Sequence, residues 1–204
     1  MVRGPREQHA AIPVRAALTR RALLASLTAG ATLIGGGLAL GPLARATTRE
    51  PVAGGGNRRL VLHNTHTLES LVVEYCRDGA YCTDALARVD HVLRDHRNGE
   101  AHVIDPALLD LLHEVAARAG HDPEFEVISG YRSPASNALM HARSSGVAAH
   151  SLHMEGRAID LRLVGCELGV VRDVALGLGR GGVGFYRASQ FVHVDTGRVR
   201  TWSG

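Results

Sequence analysis

The sequence predicts one domain of mixed helices and strands, and three observations carry that prediction. A capped helical pattern spans Asp105 to Gly120, strand alternation recurs at Arg157–Leu163 and Phe191–Asp195, and two Val/Leu-rich runs near residue 60 are joined by a short polar turn. Of 204 residues, 45% are hydrophobic and only 4% aromatic, which fits one globular domain with a short appendage rather than two domains.

The appendage is N-terminal. Arg20 and Arg21 precede an apolar run that reaches Leu43, and Ala44-Arg45-Ala46 forms a small-x-small cleavage site. Residues 1–46 therefore read as a twin-arginine-type export signal that leaves no stable membrane span once cleaved, and the periplasm or cell envelope is the expected destination. The run is rich in Gly, Ala and Thr, so its apolarity is modest for a retained anchor. The leader holds six of the 23 basic residues and one of the 20 acids, so the remainder carries 17 and 19, a formal −2. The pI of 9.1 then gives no argument for nucleic acid as a partner. Residues 47–57 are a polar, Gly-rich linker without a periodic apolar face. The domain is expected from Arg58 to Gly204, with no internal repeat and no signal for an oligomeric state.

Within it, Arg59–His63 and Ser70–Tyr75 read as a β-hairpin. His63 and His66 belong to that hairpin and read as surface or packing residues. A helix follows from Thr83, which can cap, with Leu86, Val89, Val92 and Leu93 on one face. The second helix has Asp105 as N-cap, Pro106 at its first position, a stripe of Leu108, Leu109, Leu111, Leu112 and Val115, and Gly120 at its end. His113 on that helix reads as structural, and Asp95–Glu100 between the helices as a polar loop. Phe125–Ser129 is a strand running into a turn at Gly130–Pro134, Asn137–Arg143 a short helix, and Glu167–Leu178 another helix before the glycine-rich strand Gly181–Tyr186. Cys76 and Cys82 could pair across the turn at Asp78-Gly79 or remain thiols, leaving Cys166 free in either case.

Metal-ligand chemistry concentrates in Ser151–Asp160, where His153 precedes Asp160 by seven residues across Gly156. Strand alternation puts Asp160 with Ala158 and Arg162, opposite Ile159, Leu161 and Leu163. Downstream, His193 and Asp195 are two apart on a strand and share a face. Two imidazoles and a carboxylate are what a catalytic Zn2+ ion takes from protein, with a fourth position left for water. His153, Asp160 and His193 meet that inventory. There is no His-Glu-x-x-His, Walker A or Gly-x-Ser-x-Gly sequence. Gly179, Gly181 and Gly184 make a formal Gly-x-Gly-x-x-Gly, but they follow a helix and enter a strand, the wrong context for a dinucleotide turn.

These motifs, taken in order, resemble a known group. Ser129–Pro134 with Asn137, then Ser151, His153, Gly156, Ala158 and Asp160, then Gly181–Gly184 with Phe191–Asp195 and Arg200-Thr-Trp202, are similar to the zinc peptidases of bacterial cell-wall peptide. That superfamily includes D-alanyl-D-alanine carboxypeptidases, VanX-type dipeptidases and the Hedgehog signalling domain, and the most similar branch is that of exported murein endopeptidases. The resemblance implies an α+β fold with a small central antiparallel sheet, zinc held by His153, Asp160 and His193, and peptidoglycan peptides as substrate. It makes Arg132 the residue that holds a substrate carboxylate or developing oxyanion, with Ser133 and Asn137 shaping the same pocket.

One position departs from the pattern. Many relatives carry an acid three residues before the last histidine ligand as general base, and Gln190 stands there. Asp195 and His150 are the remaining candidates for moving protons, Asp195 having the alternative role of orienting an imidazole. The expected function is an exported zinc peptidase acting on peptidoglycan stem peptides or crosslinks. Its rival is a zinc-stabilised module that binds wall peptide or a partner without turnover.

Overall fold

The computed structural model describes residues 56–144 and 146–204, so the leader and all of the linker before Gly56 lie outside the described residues. Eight strands, in the order β3-β2-β1-β4-β5-β7-β6-β8, form one sheet. They are β1 (Arg58–Asn64), β2 (Ser70–Arg77), β3 (Ala80–Tyr81), β4 (Glu124–Ser129), β5 (Ala158–Leu163), β6 (Gly182–Tyr186), β7 (Phe191–Asp195) and β8 (Arg200–Ser203). The α+β class holds, and the sheet is larger than a small antiparallel one and mixed in sense. β1–β4 and β6–β8 run parallel, each pair joined by a connection that returns the chain to the same end.

The helices are α1 (Thr83–Val92), α2 (Pro106–Ala119), α3 (Pro134–Arg143) and α4 (Leu168–Leu178). One sheet face is apolar: Leu60, Leu62, Val73, Phe125, Val127, Ile159, Leu161, Leu163, Val192 and Val194 are buried there with Val89, Leu108, Leu112, Val171 and Ala175 from α1, α2 and α4. Full burial of one such side chain is worth about 1.5–3 kcal/mol. Truncating Leu112, which is fully buried, to Ala costs about 2–5 kcal/mol through lost transfer energy and the cavity left behind.

Helix α2 forms as its caps predict: the Asp105 carboxylate accepts from the Ala107 amide at 3.1 Å, Pro106 opens the helix, and Gly120 closes it in the left-handed region. At α1 the boundary lies one residue earlier than expected. Pairing of Tyr81 with Cys76 holds Cys82 extended, so Cys82 takes the cap position without a side-chain cap and Thr83 is already helical. Helix α3 starts at Pro134 rather than Asn137, because Ser133 caps it by accepting from the Ser136 amide and Pro134 suits the first helical position. All three cysteines are free thiols. Among the described residues no helix is long and apolar enough to cross a membrane.

Candidate metal centre

The second sheet face carries the chemistry. Ser129, Asp160, His193, Gly184 and Trp202 stand in register across β4, β5, β7, β6 and β8, one residue from each strand. His153 comes to the same place from a short 3-10 turn, Leu152–Glu155, capped by Ser151 and closed by Gly156.

The three expected ligands converge. His153 Nε2 lies 3.2 Å from His193 Nδ1 and 3.3 Å from Asp160 Oδ1, and His193 Nδ1 lies 2.8 Å from Asp160 Oδ1. Among the described residues this is the one group of three or more His, Cys, Asp or Glu side chains with metal-ligating atoms gathered so closely. Ligand atoms ~2.0–2.2 Å from a tetrahedral zinc ion lie about 3.3–3.6 Å from one another, so the three donors need separate only slightly to fit that shell.

The hydrogen bonds behind the ligands set the lone pairs. His153 Nδ1 is 2.7 Å from the Gly130 carbonyl oxygen, which can only accept, so that nitrogen carries the proton and Nε2 is bare. His193 Nε2 faces Asp195 Oδ2 at 3.1 Å, which assigns its proton in the same way and leaves Nδ1 bare. With both rings neutral, two nitrogen lone pairs and a carboxylate oxygen then face one another with no proton between them. A cation satisfies that arrangement, and the donor set suits Zn2+.

The electrostatics agree. Burial lowers the pKa of His153 more than Asp160 raises it, keeping the ring neutral. Burial would raise the Asp160 carboxyl, but His153 and His193 outweigh it and hold it well below the carboxylate range. Burial also acts to lower His193, and the carboxylates of Asp160 and Asp195 reverse that to a net rise. In the absence of a metal, a proton on His193 is what the two carboxylates would draw in.

The other predicted site residues fall into two groups. Arg132 and His150 line the metal cleft, which has a volume of about 460 Å³. Arg132 is only 6% exposed; one of its Nη atoms is 3.7 Å from Asp160 Oδ2, and its Nε has no partner among the described residues. Burial lowers its pKa against the pull of Asp160. His150 is exposed at the rim. Ser133 and Asn137, by contrast, are buried behind the cleft rather than lining it. The Ser133 hydroxyl caps α3 and accepts from Asn98, while Asn137 donates to the Ala148 and Ala149 carbonyls and accepts weakly from Arg132 at 3.4 Å. They hold Arg132 and the approach to His150 in place, a different contact from the direct one expected.

Asp195 is saturated. It accepts from His193, from the Gly182 and Gly197 amides at 2.9 and 2.8 Å, and from both terminal nitrogens of Arg200, the shorter at 2.6 Å. Burial opposes ionisation, yet these donors hold its pKa below the carboxylate range. The carboxylate sits so close to β6 that a Cβ at Gly182 would meet it at 2.5 Å, which accounts for the glycine there. Gln190, in the left-handed region at φ 56°, turns its amide onto the Arg187 carbonyl and lines a separate cavity of about 670 Å³ beyond the β6–β7 turn. His63 bonds Ser70 and Glu124, His66 stacks on His96, and His113 lies half-buried on α2, none of them lining the cleft.

Sequence reasoning missed Asp95. The loop it starts was expected to be merely polar, but Asp95 is fully buried and accepts from the Arg97 and Ser133 amides at 3.0 and 2.9 Å. Burial raises its pKa, and bonds from Ser136, Arg97 and Ser133 outweigh that to hold it at about 2. It thereby anchors the residue next to Arg132. An Asp-x-Arg turn is too common a sequence to have announced that contact.

An α+β sheet bearing a buried His/Asp/His donor set over a cleft with a buried arginine fits a metallopeptidase. The chain belongs to the peptidoglycan L,D-endopeptidase MepK family of the M15 peptidases, whose model matches residues 52–202. It is 39% identical over 177 residues to the probable peptidoglycan L,D-endopeptidase MepK of Haemophilus influenzae, covering 83% of this chain and 92% of that protein. It is 41% identical over 145 residues to the peptidoglycan L,D-endopeptidase MepK of Escherichia coli K12, covering 71% and 80%. No solved structure matches the chain.

Proposed function

We propose that this protein is an exported zinc endopeptidase that hydrolyses an amide bond of peptidoglycan crosslinks, an L,D bond as in the names of its relatives. The observation that carries the reading is the cluster of bare lone pairs on His153 Nε2, His193 Nδ1 and Asp160 Oδ1, held 2.8–3.3 Å apart by tautomers fixed from behind. These three side chains would hold zinc, which when bound polarises a carbonyl and brings the pKa of water toward about 7.

The remaining work falls to the chain. Arg132 offers a desolvated positive charge beside the ligands, suited to a substrate carboxylate or to the carbonyl oxygen as it gains charge. Asp195 spends every lone pair inside the fold and orients His193. His150, at the rim of the same cleft, is the remaining candidate that would take a proton from water and deliver it to the leaving amine. Gln190 takes no part. Residues 1–46 would direct export to the periplasm or cell envelope through a twin-arginine route, leaving a domain without a membrane span.

Digestion of purified crosslinked muropeptides, with zinc and with a chelator, followed by mass spectrometry, tests the reading. Chelator-sensitive products are expected, and their masses identify the bond. Intact substrate despite bound zinc would favour the rival, a zinc-stabilised module that binds wall peptide without cleaving it.

A further inference from the structure

The chain contains a single tryptophan, and it meets a tyrosine on the wall of the metal cleft, with Trp202 Nε1 2.9 Å from the Tyr186 hydroxyl. An indole nitrogen only donates. The Tyr186 oxygen is therefore the acceptor, and its own proton points away from Trp202. Among the described residues that proton has no acceptor. The phenol's ring is stacked on Phe191 at 4.4 Å, and Gly204 lies so close to its edge that a Cβ there would not fit.

The sequence builds this orientation. Trp202 lies over Gly184, where a Cβ would come within 2.6 Å of the indole, and Gly184 is in register with both His193 and Trp202. The missing side chain lets the indole settle 5.1 Å from the His193 ring. Arg200, bonded to Asp195, lies 4.9 Å from the indole centre. Tyr186 lines the same cleft as Arg132, His150, His153, Asp160 and His193.

We propose that Tyr186 is a further catalytic residue, a neutral donor of a hydrogen bond to the scissile carbonyl oxygen as it gains charge, with Trp202 as the positioning residue that fixes the direction of that bond. The proposal rests on the endopeptidase reading. No bond to hydrogen breaks in this role: the phenol keeps its proton throughout. A donor whose direction is fixed by a second donor behind it, which also polarises it, needs little reorganisation during reaction.

The test uses the full chain loaded with zinc and a crosslinked muropeptide dimer. Tyr186→Phe keeps the ring stack and loses the donor, so kcat is expected to fall about 10²-fold while KM moves less than about threefold, with zinc content and melting temperature unchanged. Trp202→Phe is expected to cost about tenfold in kcat, and the double variant to be no slower than Tyr186→Phe alone, because the indole acts only through the phenol. In chelator-treated protein, quenching of Trp202 fluorescence by the dimer should give the same affinity for wild type and Tyr186→Phe. An unchanged kcat in Tyr186→Phe, a KM rise alone, or additive losses in the double variant would each overturn the proposal while leaving the peptidase reading intact. A wild type that cleaves no dimer would overturn both.

Discussion

Two of the buried polar clusters of this domain invite comparison, and only one of the two has the makings of a reactive site. At the far side of the sheet, Asp110 Oδ1 accepts from Arg58 at 2.6 Å and Tyr75 at 3.0 Å, while Oδ2 accepts from Tyr81 at 2.6 Å. Arg58 also donates to Cys76 Sγ at 2.9 Å. Both carboxylate oxygens there have donors, and one positive charge meets one negative charge, with the Arg58 Nε left as an unpaired donor among the described residues. At the metal centre, with both rings neutral, three acceptors face each other with no donor between them. Burial of charge therefore does not distinguish the two clusters. The three acceptors turned toward one another do.

That contrast can be broken most severely at Asp160. Asp160→Ala should abolish zinc binding and reduce crosslink cleavage by about 10³-fold or more, and zinc at 100–1,000 times its Kd should stabilise wild type by about 3–4 kcal/mol and the variant not at all. Thermal melts with and without zinc check this. Asp110→Ala should do the reverse, costing about 3–5 kcal/mol by leaving Arg58 buried without its partner, with zinc stoichiometry and kcat of the folded protein unchanged. Denaturant titration beside metal analysis separates the two.

Asp195→Ala should weaken zinc binding about 10–100-fold, read by chelator competition, because His193 loses the acceptor that fixes its tautomer. The smallest effect is one of pH. Asp95 has a folded pKa of about 2, below its unfolded value of about 3.9, so its contribution is complete above about pH 4 and is lost as pH falls toward 2. It amounts to at most about 2.6 kcal/mol, and Asp95→Asn should flatten that part of the acid-unfolding curve.

The candidate ligand set was legible because its motifs, each weak alone, are specific when taken together in order, and period-two alternation put His193 and Asp195 on one face, where they meet. Helix α2 was legible for the same reason: its caps and stripe are local. What stayed hidden depends on contacts between distant residues. The saturation of Asp195 needs Gly182, Gly197 and Arg200 brought around it. The burial of Asp95 needs Ser133, 38 residues away. Strand β8 pairs in parallel with β6, and neither that pairing nor the Trp202–Tyr186 bond it creates has a local signal.

The central claim is that the unmatched lone pairs of His153, Asp160 and His193 hold a metal ion on which cleavage depends. Metal analysis of the purified protein, followed by crosslink digestion at each step of a zinc titration into the chelator-treated chain, tests it most directly. Activity rising in proportion to zinc and levelling at one ion per chain is the predicted result. Undiminished cleavage by protein stripped of metal would contradict it.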